Sequence, residues 1–192
     1  MVPLPVSFYE RQTSVVAREL LGKVIVRRWP GPPATSARAR IVEVEAYLGE
    51  RDAASHARRG PTPRAAIMFG PPGRLYVYLI YGMHHCMNFV AETDGTAGAV
   101  LIRAAVPVEA ESERDPRALS GPGKLCAAVD ITLRHKGLDL TALDSELVVV
   151  DDGAPVPRVA AARRVGVEYA GAWARRRLRF YVAGHPAVSR VR

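Results

Sequence analysis

The run Val42-Glu43-Val44-Glu45-Ala46-Tyr47 alternates small apolar and polar side chains, and that period of two calls for a half-buried strand. Ile41, Glu43, Glu45 and Tyr47 then share one face, while Val42, Val44 and Ala46 share the other. With the valine face buried, Glu45 and Tyr47 look out from a rigid strand. Gly49 supplies a turn, after which His56, in Ala53-Ala54-Ser55-His56, folds back towards them. A carboxylate, a phenol and an imidazole would converge there.

The rest of the chain repeats this strand signature more often than a helical one. Ser7-Phe8-Tyr9-Glu10 has the spacing of a capping box, and Val16, Leu20 and Leu21 form an apolar stripe that stops at Gly22. A helix is expected there, starting at Ser7 or at Thr13. Lys23 to Trp29 and Ala39 to Tyr47 flank a proline-rich loop and form an antiparallel pair. Thr62-Pro63 opens a short helix or turn ending near Gly70. Further strands fit Leu75 to Tyr81, His84 to Val90, Ala99 to Val106, Glu146 to Val150, Arg158 to Val165 and Leu178 to Val182. Glu109 to Ala118 is charged and expected to be exposed. A helix capped by Ser120 or Gly121 runs to about Val129. Regular βαβ alternation is absent, so the expected class is α+β: a single-domain mixed, largely antiparallel curved β-sheet with flanking helices, spanning residues 1–192.

A chain of 192 residues, 48% hydrophobic, supports one substantial core. No apolar run approaches the roughly 20 residues that cross a bilayer, and Met1-Val2-Pro3-Leu4-Pro5 lacks the basic and apolar regions of a signal peptide. A soluble cytoplasmic protein is expected, with Cys86 and Cys126 as reduced core thiols. The net charge of +8 points to a polyanionic partner such as nucleic acid. Arginine so outnumbers lysine (Lys23, Lys124 and Lys136) that genomic base composition is an equally good source of the charge.

Two later blocks sharpen the reading. Tyr76-Val77-Tyr78-Leu79-Ile80-Tyr81-Gly82-Met83-His84-His85-Cys86-Met87-Asn88 is an aromatic-rich hairpin, and Ser120-Gly121-Pro122-Gly123-Lys124-Leu125-Cys126 opens a helix with small residues. Together with the Glu45 segment, in this order and at this spacing, they make the chain resemble the 3-methyladenine (alkyladenine) DNA glycosylases over nearly its whole length. The resemblance implies the same fold and a monofunctional enzyme. Such an enzyme flips an alkylated or otherwise damaged purine out of double-stranded DNA and hydrolyses its N-glycosidic bond.

It also implies roles. Glu45 matches the glutamate that activates water, and Arg103 the arginine that positions it; pairing with Arg103 is expected to lower the Glu45 pKa. Val165 matches the valine whose carbonyl completes the water site. Tyr47 covers one face of the base, His56 and Tyr78 the other, and Asn88 crowds the amino group of guanine. Tyr81 and Met83 form a wedge at the hairpin tip. Arg64 and Lys124 contact phosphates. Glu43 receives no catalytic role and is read as a solvated face residue.

His84-His85 departs from the aromatics expected at those positions, and no extra N-terminal partner-binding region is predicted. A P-loop is excluded because Leu125 follows the lysine and the insert before Gly-Lys is missing. Without a second paired cluster, His84, His85 and Cys86 make no four-ligand zinc site, so neither metal nor cofactor is expected, and the protein is expected to act as a monomer. Two other readings stay open: a non-catalytic domain recognising distorted DNA or structured RNA, and a hydrolase of free nucleosides.

Overall fold

The structure, a computed structural model, describes residues 1–109, 115, 117–155 and 158–189. Eight strands build one sheet: β1 (Val24–Trp29), β2 (Thr35–Tyr47), β3 (Leu75–Ile80), β4 (His84–Val90), β5 (Ala99–Pro107), β6 (Leu147–Val150), β7 (Val159–Ala162) and β8 (Arg179–Val182). The order is β3-β4-β5-β2-β1-β6, with β8 also on β2 and β7 beyond β8. Each ladder is antiparallel. The curled antiparallel sheet with a few helices is the expected α+β class. Of the charged stretch Glu109 to Ala118, residues 110–114 and 116 lie outside the described residues.

The central strand is less regular than its sequence. β2 pairs with β5 along Ala39 to Tyr47, but the register jumps between Ile41 and Val44, leaving Val42 on β2 and Arg103 on β5 without partners. On its other edge β2 pairs with β1 up to Arg40 and with β8 from Glu43 to Glu45. The irregularity therefore sits where the strand passes from one neighbour to another, and a bulge of this kind bends a strand and re-aims its side chains.

The jump overturns the expected sharing of faces. Ile41 joins Val44 and Ala46 in the main core, while Val42 packs in a separate cluster with Ala104, Val106, Val182 and Ala187. The other face is not solvated either. Ile41 to Ala46 are buried throughout, and Glu43 and Glu45 expose nothing. Strand β8 and the segment reaching Ser189 cover what a lone hairpin would leave open.

The N-terminal helix divides into α1 (Val6–Tyr9) and α2 (Thr13–Leu20). Ser7 lies inside α1 and caps nothing. Instead the carboxylate of Glu92 accepts from the Thr13 amide and hydroxyl, both at 2.7 Å, at the positive end of α2. Helix α2 buries Val16, Ala17 and Leu20 against the sheet. Helix α3 (Pro122–Ala128) starts after Gly121, whose φ of 107° suits glycine. Ser120 does not cap it, but donates to the Ala187 carbonyl. Cys86 and Cys126 are buried free thiols. Among the described residues no helix is long and apolar enough to cross a membrane.

Candidate active site

Glu45 is held from three sides. The Val165 amide donates to Oε1 at 2.8 Å, the Tyr47 hydroxyl donates to Oε2 at 2.9 Å, and Arg103 Nη1 stands 3.4 Å from Oε1. Burial is the largest influence on this carboxyl and raises its pKa; Arg103, the Val165 amide and Tyr47 oppose the rise without cancelling it. The expected net lowering by Arg103 is thus corrected: desolvation outweighs the ion pair. The result is a carboxylate supported by three donors yet more basic than one in water. Val165 contributes its N–H to this arrangement, a contact separate from the carbonyl role that the resemblance implies.

Glu43, read as a surface residue, instead anchors this arrangement. Its carboxylate accepts from Arg103 Nε at 3.1 Å, Arg179 Nη1 at 2.9 Å, the Ser189 amide at 2.8 Å and the Ser189 hydroxyl at 3.0 Å. Arg103 is therefore shared between two glutamates, its Nε on one and its Nη1 towards the other. Such a buried network is tolerable only because each charge has a partner. No sequence periodicity separates Glu43 from an exposed glutamate.

In front of Glu45 lies a cavity of about 410 Å³, the size of a small-molecule site. Tyr47, Arg103 and Val165 line it, so the donors to Glu45 form its inner wall, and Ala54, His56, Arg64, Tyr76, Tyr78, Cys86 and Asn88 form much of the rest. Ser55 caps a 3-10 turn over His56–Arg59 by accepting from Ala57 N–H, which fixes His56 at the start of that turn. The His56 and Tyr78 rings meet edge to face, 4.6 Å apart at 82°. A planar base stacking on one of them meets the edge of the other, so the two do not form one flat platform. His56 Nδ1 lies 2.9 Å from the Tyr76 hydroxyl, giving Tyr76 a part the sequence did not assign it. Burial, helped by Arg64, lowers the His56 pKa to about 4 and keeps the ring neutral. Asn88 is anchored by donating Nδ2 to the Tyr76 and Cys86 carbonyls at 3.2 and 3.4 Å.

A second buried pair supports Tyr47 from behind. Arg164 donates to both oxygens of Asp52, at 2.5 and 2.8 Å, and to the Ala46 carbonyl at 2.8 Å; its guanidinium carbon lies 4.6 Å from the centre of the Tyr47 ring. Asp52 in turn accepts from the Leu48 and Ala54 amides. Sequence reasoning passed over both residues. The bond from Ala54 two positions on is an Asx turn, a local signal that could have drawn attention to Asp52.

The family described as Methylpurine-DNA glycosylase (MPG) matches residues 7–186. The chain belongs to that family. It is a DNA glycosylase of the methylpurine type, in the class that handles alkylated bases in DNA repair. A relative from Methanocella arvoryzae is 49% identical, across 99% of this chain and 97% of its own. One from Anaeromyxobacter dehalogenans is 54% identical across 97% and 85%, and one from Legionella pneumophila 43% identical across 100% of both. All three carry the name "Putative 3-methyladenine DNA glycosylase".

The remaining residues that the sequence singled out in this glycosylase lie on the β3–β4 connection, on the cavity lining and on α3. Strands β3 and β4 are joined by Tyr81-Gly82-Met83, with φ of 53° at Tyr81 and 69° at Gly82 and Met83 N–H donating to the Ile80 carbonyl. These are the marks of a type I′ turn, which a glycine adopts freely and a tyrosine does not. Tyr81 is 87% exposed and Met83 69%, and Tyr81 also borders the cavity. Arg64 lines the cavity, its guanidinium carbon 4.9 Å from the centre of the Tyr78 ring. Lys124 is exposed on α3. His84 packs against Gly123, where an added Cβ would lie only 3.1 Å from the His84 Cβ.

Proposed function

We propose that this protein is a monofunctional glycosylase that flips an alkylated or otherwise damaged purine from duplex DNA into the cavity and hydrolyses its N-glycosidic bond. Water attacks C1′ of the sugar, Glu45 takes a proton from it, the C–N bond breaks with its electron pair leaving on the purine, and an abasic site remains. Glu45 charge also stabilises the oxocarbenium-like sugar. The single observation that carries this reading is a fully buried glutamate, raised in pKa, whose three donors line a cavity large enough for a purine. A base near neutral pH needs a raised pKa, and donors fixed in advance need no reorganisation during reaction.

The other assignments follow the path of the nucleotide. Tyr47 stacks on one face of the base, while Tyr78 and the edge-on His56 bound the other side; Asn88 crowds guanine. Tyr81 and Met83 fill the gap left in the DNA stack, and Lys124 and Arg64 meet phosphates, Arg64 from a place inside the cavity mouth. Arg103 and the backbone at Val165 hold Glu45 and its water. We take residues 1–192 as one domain acting as a cytoplasmic monomer on double-stranded DNA.

Single-turnover base release tests this. Duplexes carrying 3-methyladenine, 7-methylguanine, hypoxanthine or ethenoadenine are incubated with wild type and Glu45→Gln, then treated with alkali. Alkali-dependent cleavage that the variant loses supports the mechanism. Binding without release by either protein would replace it with a non-catalytic DNA- or RNA-binding role, and release from free nucleosides alone with a nucleoside hydrolase.

A further inference from the structure

The charges that line or back the base cavity are not balanced in the same way. Arg103 shares its charge with Glu43 and Glu45, and Arg164, behind Tyr47, is matched by both oxygens of Asp52. Arg64 has no carboxylate at ion-pair distance among the described residues, yet it lines the cavity over Tyr78. Its polar contacts are neutral ones, the Leu79 carbonyl at 3.5 Å and the Tyr76 hydroxyl. The neighbouring imidazole of His56 is kept neutral by burial and by Arg64 itself. One uncompensated positive charge therefore stands on the Tyr78 side of the cavity.

Damaged purines fall into two electrostatic classes. A 3- or 7-methylated purine is a cation while it is attached to the sugar; hypoxanthine and ethenoadenine are neutral. Arg64 repels the first class, and it already occupies part of the electron-rich field of Tyr78 that would attract a cationic base. Towards a neutral base its guanidinium carries no such repulsion and can donate hydrogen bonds. We propose that Arg64 sets the charge preference of the cavity, favouring neutral damaged purines over cationic methylated ones. This inference rests on the glycosylase reading and goes beyond phosphate contact, which treats all lesions alike. A unit charge within the cavity lining, at an effective dielectric of about 20 and with solvent screening, corresponds to roughly a tenfold change in relative rate.

The test is the ratio of single-turnover rate constants for hypoxanthine and 3-methyladenine in otherwise identical duplexes, each corrected for spontaneous release, for wild type, Arg64→Gln and Arg64→Lys. Arg64→Gln is expected to shift the ratio roughly tenfold towards 3-methyladenine, with Arg64→Lys staying near wild type because it keeps the charge. An equal loss on both lesions makes Arg64 a phosphate contact only and overturns the inference, as does a shift towards hypoxanthine. If wild type releases no base from any duplex, the glycosylase reading itself falls, and this inference with it.

Discussion

The inner end of β2 and the tip of the β3–β4 hairpin border the same cavity, yet they are built in opposite ways. At the inner end Glu43 and Glu45 are fully buried, and together they accept six hydrogen bonds besides the contact from Arg103 Nη1 to Glu45. At the tip Tyr81 and Met83 stand in solvent, fixed by a turn and little else. The first arrangement suits chemistry, where charge must be in place before the reaction. The second suits a probe, whose partners belong to another molecule.

Changing the buried end should have the largest effect. Glu45→Gln is expected to lower single-turnover excision by about a thousandfold or more while duplex binding stays within a few-fold, as band-shift titration beside the excision assay would show.

Glu43→Gln comes next, with excision down by about a hundredfold because the Arg103 guanidinium, no longer divided between two carboxylates, turns to Glu45 alone and crowds the water, and it has a signature that mere loss of packing does not share. Arg103, Tyr47 and the Val165 amide hold the Glu45 pKa down, whereas burial and the Glu43 charge hold it up; Arg164 and Tyr78 stand further off. Wild-type excision should therefore fall on acidification at a pH above the ordinary carboxylate range. Removing the like charge of Glu43 should move that acid limb to lower pH. An unmoved limb would reduce Glu43 to a structural residue.

At the tip, Tyr81→Ala should slow excision from duplex by about tenfold to a hundredfold, with much less effect when the lesion sits in single-stranded DNA. Chemical denaturation should show a stability change within about 0.5 kcal/mol, since the residue is 87% exposed. A large loss of stability would erase the contrast between the two regions.

The smallest expected effect lies between them, at His56. Its pKa is about 4 in the fold against 6.5 for the free side chain, so protonation favours the unfolded chain. Stability should be lost as pH falls from about 6.5 towards 4, by roughly 1 to 2 kcal/mol once the partly exposed ring is discounted for solvent. Melting curves of wild type and His56→Gln across that range would diverge if this is so.

The contrast also separates what a sequence discloses from what it conceals. Strands β1 to β8 were legible because alternation and turn residues are local, and the Tyr81-Gly82 turn announces itself. The burial of Glu43 was not, because the groups that satisfy it lie 60, 136 and 146 positions away. The slip between Ile41 and Val44 left no mark either: an extra residue in a strand looks like any other until its partner is known. Arg164 and Asp52, 112 positions apart, escaped for the same reason. Arg103 was found, but its division between two glutamates required the irregular pairing of β5. Family resemblance marked Glu45, Tyr47 and Tyr81, and was silent on what holds them.

The bonds from Ser189 to Glu43 carry a consequence for the order of events in synthesis. Strand β2 leaves the ribosome early, whereas the residue that closes over its inner carboxylate follows 146 positions later. At roughly 5 to 20 residues per second, several seconds pass between the end of β5 and Ser189, during which a nascent chain holds β1 to β5 but no finished active site. A chain halted short of residue 189 should therefore fold in large part and bind DNA while leaving its bases untouched.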